Sequence, residues 1–359
     1  MKYHAALAHF PKITYARYRK LAAYFSDLKN LWDAEFTELV QTGLEEEIAH
    51  EFLSWREHNP VEQLLERLEL ARVKTVSLDE PEYPALLKEI NDPPHTLFIR
   101  GNFSNDAKPA LGVVGTRKMS NYGKLACQEI VAPLARQRIK IISGLALGID
   151  GVAHQTALEN DGVTIAVLGG GVDKTTVHPT SHQFLAEKII EKGGAVISEY
   201  PPGFQPMPYT FPARNRIIAG LSLGTLVVEA PEQSGALITA KFALDYNREI
   251  FAIPHPINTA NGVGCNNLLK LGARLVSSAT DIFETLSLGG FDQLAINIGP
   301  KPASSTEAVI LSLVSKEPKH IDSIIKESGL ESPTVNSAIT MMEIKGMIRN
   351  LGGMNYIVR

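Results

Sequence analysis

Residues able to grip an anion gather directly behind short apolar runs in the middle of the chain. Leu111–Val114 is followed at once by Gly115, Thr116, Arg117 and Lys118, then Ser120. Ile139–Ile142 is followed by Ser143, Gly144, Leu145 and Ala146, leading to Gly148, Ile149 and Asp150. Thr164–Leu168 runs into Gly169, Gly170 and Gly171. Thr225–Val228 runs into Glu229, Ala230 and Pro231, beyond which Ser234 and Gly235 open a helical pattern carrying Thr239 and Lys241. Ahead of that run, Phe211, Pro212, Ala213, Arg214, Asn215 and Arg216 place two guanidiniums and an amide beside an aromatic ring. Glycine lets a backbone approach a ligand closely, and a helix start offers unpaired N–H groups to an anion. The chemistry these residues suit is phosphate binding.

Other chemistries find less support. Gly115 and Gly123 lack the G-x-G-x-x-G spacing. Gly123 and Lys124 lack the Walker A spacing and its following Ser or Thr, which argues against an ATPase or a dinucleotide oxidoreductase. Asp150 and His154 lie four apart on a helical pattern, but two ligands make no metal site and Asp150 suits an N-cap. His178 and His182 flank Pro179 and read as loop residues. The two cysteines, Cys127 and Cys265, are too far apart in sequence for a disulfide framework or a CxxC knuckle. With no nucleophile–base pair in view, we expect neither catalysis, nor a metal, nor a cofactor.

The elements that position these residues follow from hydrophobic period. Between 110 and 286, near-continuous apolar runs (those above, with Ala195–Ile197 and Ile250–Ile253) alternate with amphipathic stretches such as Tyr122–Arg138 and Ala236–Tyr246. That alternation predicts a doubly wound, Rossmann-like α/β domain whose parallel sheet is covered on both faces. Ligands of such sheets bind beyond the carboxyl ends of the strands, where the residues above fall. Before it, residues 1–72 carry apolar positions at three- and four-residue spacing (Leu21, Phe25, Leu28, Leu31, Trp32; then Ile48, Phe52, Trp55). They predict an all-α domain of about four helices, of the SAM or helix-hairpin-helix kind. Pro81, Pro84, Pro93 and Pro94 mark an extended lead-in that wraps onto the α/β domain, which we place at 73–286. Residues 287–305 read as a linker. The tail from 306 predicts helices at Glu307–Ser315, Ile321–Ser328 and Pro333–Lys345 and a hairpin from Met347 to Val358 turning at Gly352 and Gly353. This is a winged helix.

The chain has 359 residues, 44% of them apolar and 21% charged, a balance that buries a core and excludes disorder as the main state. MKYHAALAHF is too short and too soon interrupted for a signal peptide, and no run of about 18 apolar residues occurs. A soluble, cytoplasmic protein with no membrane partner is expected. The net charge of −4 does not exclude nucleic acid, because a cleft can focus a local positive field.

The motifs resemble those of a known family. Val113 to Arg117 is similar to its G-S/T-R motif. Ser143 to Asp150, with Ala153 and His154, is similar to its S-G-x-A-x-G-I-D-x-x-A-H motif. Ser198 to Tyr200, Phe211 to Arg216, Glu229–Ala230, and Ser234 through Ala240 follow in the same order. The family is DNA-processing protein A (DprA, also called Smf), and the resemblance runs from about Tyr83 to Leu275. It implies a homodimeric, non-enzymatic binder of single-stranded DNA that loads the RecA recombinase onto the strand in natural transformation or related recombination. On that reading Phe211 stacks on a base, and Arg117 with Arg214 or Arg216 pairs phosphate oxygens. Gly115, Thr116, Ser143 and Gly144 supply backbone donors, with Lys118, Asn215 and Lys241 completing the DNA-binding set. One departure stands out: the usual Pro-Gly after the last strand is Pro254, His255, Pro256 here.

Plainer roles stand beside these. Arg117 also suits a salt bridge, Phe211 the core, Lys241 a solvated face and Gly169–Gly171 a tight turn. Of Arg214 and Arg216, two apart, one points away from the ligand and pairs with Glu199 or Glu229. A nucleoside-monophosphate phosphoribohydrolase of the "lonely guy" type is the rival class, with Arg216 and Glu229 as its pair, although its P-G-G-x-G-T-x-x-E run is missing. A winged-helix regulator is the third reading. From Thr306 on, however, six Lys and Arg balance six Asp and Glu, and the recognition stretch Pro333–Lys345 has one base, Lys345. A duplex reader needs several phosphate contacts, so this tail suits a protein contact or weak DNA binding.

Overall fold

The computed structural model describes residues 2–103, 108–288, 304–315 and 317–358, which form two compact units divided near residue 289. The expected linker lies mostly outside the described residues. In the first unit six helices come first: α1 (Lys2–Ala8), α2 (Tyr15–Tyr24), α3 (Leu28–Asp33), α4 (Phe36–Gln41), α5 (Glu46–Glu57) and α6 (Val61–Leu70). Two more than expected arise because α3 and α4 are single turns and a half, set off by Asp27 as N-cap and by the capping box of Glu35 and Glu38.

The sheet has nine strands: β1 (Lys74–Ser77), β2 (Thr96–Gly101), β3 (Ala110–Val114), β4 (Lys140–Ser143), β5 (Thr164–Val167), β6 (Ala195–Ser198), β7 (Gly224–Val227), β8 (Glu249–Ala252) and β9 (Arg274–Leu275). Their spatial order is β1-β2-β6-β5-β4-β3-β7-β8-β9. From β6 to β9 all pairings are parallel, and β2 and β1 add an antiparallel edge. Every residue of β3, β5, β6 and β7 is buried, as a strand covered on both faces must be. The proline-rich lead-in therefore supplies two strands, bridged by the short helix α7 (Ala85–Lys88) that Pro84 starts. The covering helices are α8 (Asn121–Arg136), α9 (Ile149–Glu159), α10 (Gln183–Glu191), α11 (Thr210–Gly220), α12 (Gly235–Asp245), α13 (Val263–Lys270) and α14 (Ala279–Thr285).

The chain steps outward from β3 to β6 and then crosses back to β7, so the topological switch lies between β3 and β7. The helical layer is fixed elsewhere. Ala5, Ala8, Leu68 and Val73 share a core with Phe98 of β2, Ala166 of β5 and Val196 of β6. His95 Nε2 meets the Ile13 carbonyl at 3.1 Å, and its ring stacks on Tyr18 at 4.8 Å. This placement leaves the switch point to the strand ends alone.

The second unit has helices at Ser305–Leu313, Ile321–Ser328 and Ser332–Ile344, and a three-stranded sheet of Lys319–His320, Asn355–Val358 and Ile348–Asn350 in that order. It is the winged helix the tail predicts, with one added strand. Ile310, Ile324, Val335, Ile339, Met342 and Tyr356 fill its core. Lys345 is bonded to the buried Glu307 carboxylate at 2.6 Å, so the one base of the recognition stretch is engaged within the domain. Among the described residues no helix is long and apolar enough to cross a membrane.

Candidate nucleic-acid interface

At the switch point, the loop leaving β3 packs against the one leaving β7. Thr116 N–H donates to the Glu229 carbonyl at 2.7 Å, and Ser120 N–H to the Glu229 carboxylate at 2.8 Å. Ser120 caps α8 by accepting from Gly123 N–H at 3.0 Å. A Cβ on Gly123 would lie 2.2 Å from Glu229 Oε2. Glycine stands there because the carboxylate needs the space. Gly115 serves packing too, since a Cβ would lie 2.5 Å from Ile149 of α9.

The loop leaving β4 is equally self-contained. Ser143 is buried and its hydroxyl donates to the Val113 carbonyl at 2.6 Å. Gly144 N–H and Ala146 N–H donate to the Asp150 carboxylate at 3.1 and 3.4 Å. Asp150 lies inside the first turn of α9 and reaches back; Gly148 is the N-cap residue. A Cβ on Gly144 would meet the Arg214 guanidinium at 2.5 Å. Arg214 Nη1 donates to the carbonyls of Gly144 (2.6 Å) and Val167. Burial lowers the Arg214 guanidinium to about 10, with the nearby Asp150 carboxylate resisting that shift. Burial likewise raises Asp150, while Arg214 and the two N–H groups pull it down.

Arg216 is buried in the other direction. It grips the two Glu199 oxygens at 2.6 and 2.7 Å and donates Nε–H to the Asp92 carbonyl at 3.0 Å. Burial disfavours its charge, yet Glu199 and Asp92 hold it above the usual range. Asn215 spans α11 and α12, accepting from Arg214 Nε and donating to the Gly235 carbonyl at 3.2 Å. Ser143, Gly144, Arg214 and Arg216, all expected among the phosphate ligands, each make hydrogen bonds within the fold. The pairing of one α11 arginine with Glu199 is what the plainer reading described. Arg216 and Glu229, the pair a phosphoribohydrolase needs, have separate partners.

What reaches solvent is a rim above this floor. Arg117 and Lys118 are exposed, and among the described residues no carboxylate forms an ion pair with either. Lys118 is fixed through its backbone, which accepts from Asn261 Nδ2 at 3.0 Å and donates to Thr116 Oγ1 at 3.2 Å. The Arg117 guanidinium lies 5.4 Å from the centre of the half-buried Phe211 ring. His178, exposed, is tilted against that ring at 5.7 Å. Gly169 lets α11 start close by, since a Cβ would sit 3.3 Å from Phe211; Gly170 and Gly171 similarly admit the chain at Phe204–Pro206 and at Pro201. The triplet is a close-packing device as well as a turn. Lys241 is exposed on α12. No group of three or more potential metal ligands occurs among the described residues.

Two sets of contacts had no clear signal in the sequence. Asn261 belongs to a distant turn, and nothing in its surroundings marks it as an anchor for Lys118. His255, in place of the usual glycine, is buried: its Nε2 meets the Val228 carbonyl at 2.9 Å and its ring packs edge-on against Tyr122 at 5.0 Å. A Cβ on Gly262 would come within 2.1 Å of His255 Cβ, so the missing glycine has a counterpart across the loop.

Fold and site together define a parallel α/β protein with a basic rim at its switch point and an appended winged helix. The model of DNA recombination-mediator protein A matches residues 74–287, and that of the DprA winged helix domain matches 299–354. Protein Smf of Synechocystis is 33% identical over 94% of each chain. Protein Smf of Escherichia coli is 39% identical over 88% of this chain and 85% of that one. The X-ray structure of DprA from Streptococcus pneumoniae superposes with a TM-score of 0.68 at 33% identity, over 79% of this chain and 97% of that one. DNA processing protein A from Helicobacter pylori, solved for its single-stranded DNA binding mode, gives 0.53 at 27% identity over 60% and 96%. The chain belongs to the DNA recombination-mediator protein A (DprA/Smf) family.

Proposed function

We propose that this protein binds single-stranded DNA along the rim formed by Arg117, Lys118 and Phe211, as a mediator that helps load RecA recombinase onto the strand. The observation that carries the reading is Arg117: a guanidinium with no ion-pair partner among the described residues, at the exit of a central strand, held over an aromatic ring. A phosphate takes the guanidinium fork, and a base stacks on the guanidinium or the free part of the Phe211 ring, as single strands do on such platforms. A duplex keeps its bases stacked inside and offers the ring nothing. Lys118 adds charge, and the loop Gly115–Thr116 fixes where both cations point. The function is binding in the cytoplasm, without chemistry on the strand. A homodimer would present two rims to one strand and raise avidity with no new contact.

The test is a salt titration of binding to labelled oligo-dT and to a duplex of equal length, with Arg117→Ala and Phe211→Ala beside the wild type. We expect preference for the single strand, and a log–log salt slope that falls by about 0.7 in Arg117→Ala, one phosphate's worth. Phe211→Ala keeps the slope and loses affinity by about 1–3 kcal/mol. Equal binding of both DNAs, untouched by either change, overturns the reading. RecA loading is tested by RecA filament growth on oligo-dT with and without the protein, and the dimer by light scattering.

A further inference from the structure

The strongest anion site a doubly wound sheet offers is the helix N-terminus at the switch point. Here that place is filled from within. The Glu229 side chain, in a residue only 1% exposed, points into the start of the sixteen-residue α8 and takes Ser120 N–H at 2.8 Å. The neighbouring donors are also used: Thr116 N–H by the Glu229 carbonyl, Gly123 N–H by Ser120, and Lys118 N–H by Thr116 Oγ1. At the next helix the buried Asp150 carboxylate, inside the first turn of α9, bonds backward instead, taking Gly144 N–H and Ala146 N–H of the preceding loop. The glycine at 123 is shaped for the carboxylate, because a Cβ would overlap Oε2.

We infer that Glu229 is a specificity-determining residue whose carboxylate stands in for a phosphate at the α8 N-terminus, denying the crevice to free phosphate and mononucleotides and leaving only the outer rim to bind. The ligand excluded is a phosphate monoester, which would place its dianion where the carboxylate now lies. Bringing one there with Glu229 in place would set two anions against each other in a buried site. A polymer loses nothing by this, since its phosphates pass over Arg117 and Lys118 outside. The inference rests on the single-strand reading only for what the rim then binds.

Glu229→Ala removes the four heavy atoms of an acetate ion, and Glu229→Gln keeps the shape while losing the charge. Wild type, both variants and oligo-dT controls are titrated with inorganic phosphate, dAMP and acetate at matched ionic strength, followed by calorimetry and thermal melting. We expect acetate, phosphate and dAMP each to bind Glu229→Ala at least about tenfold more tightly than wild type (~1.4 kcal/mol) and to raise its melting temperature. Glu229→Gln should gain nothing. If Glu229→Ala does not fold in chloride, refolding in phosphate is the readout, and recovery in phosphate supports the inference. Rescue by acetate alone, no gain by any anion, failure to fold in both salts, or phosphate and dAMP binding equally to wild type overturns it. Oligo-dT separates the two claims: a wild type that ignores oligo-dT while Glu229→Ala gains dAMP defeats the rim and keeps the crevice.

Discussion

The floor and the rim of the switch-point region are built from the same residue types and meet opposite fates. Arg214 and Arg117 both lie near strand ends, yet Arg214 is buried against two carbonyls while Arg117 is exposed over an aromatic ring. Glu229 and Asp150 are carboxylates at helix starts, where an anion binder would leave room for its ligand. Charge inside a fold must be paired or bonded at several points, whereas charge outside is free for a partner. A guanidinium's job is therefore set by which side of the loop it leaves, and the floor's internal pairing is what holds the rim's loop rigid.

If that contrast is right, breaking the floor should damage folding and breaking the rim should not. The largest effect is expected for Arg214→Ala, which strips the Gly144 and Val167 carbonyls of their donor and leaves Asp150 uncompensated. It should lose about 3–5 kcal/mol in urea unfolding. Next, Gly262→Ala forces a methyl into His255 and should cost about 1–3 kcal/mol by overpacking, with most of it recovered when His255→Gly is added. Failure of that recovery would show that the two positions are not coupled.

Acid should loosen the buried floor before the rim. Burial drives His154 to about 3 and His95 to about 4, from an ordinary 6.5, so both are neutral in the fold. The unfolded chain binds their protons first; stability is complete above about pH 6.5 and falls as pH drops toward those folded values. Each imidazole should cost about 2 kcal/mol by pH 5, and His95→Gln, compared at pH 7.5 and 5, should show a shallower loss. The smallest effects belong to the surface. Arg117→Ala and Lys241→Ala should each leave stability within about 0.5 kcal/mol, but only Arg117→Ala should weaken oligo-dT binding. Equal loss in both would extend the rim onto α12.

The strands of the α/β domain were legible because a doubly covered strand must be apolar throughout, as Leu111–Val114 and Thr225–Val228 are. The antiparallel edge was not. Its strands, Lys74–Ser77 and Thr96–Gly101, are separated by prolines that masked a pairing only the neighbouring β6 completes. β9 is two exposed residues, too short for any pattern to show. Asp150 looked like an N-cap because its type and place suit one, while the cap is Gly148 and the carboxylate bonds backward into the loop.

By itself, then, the sequence determined the alternation of strands and helices in the α/β domain, the strand ends where the glycine-rich and basic loops fall and the family of motifs occupying them. These are consequences of local period and short-range spacing, which the chain carries along its length. Only the tertiary structure decided which charged side chains are bonded within the fold and which reach solvent. That choice depends on partners far away in sequence: Glu199 and Asp92 for Arg216, the Gly144 and Val167 carbonyls for Arg214, the α8 start for Glu229. A charge is free only when no such partner reaches it, and reach is a property of the folded chain.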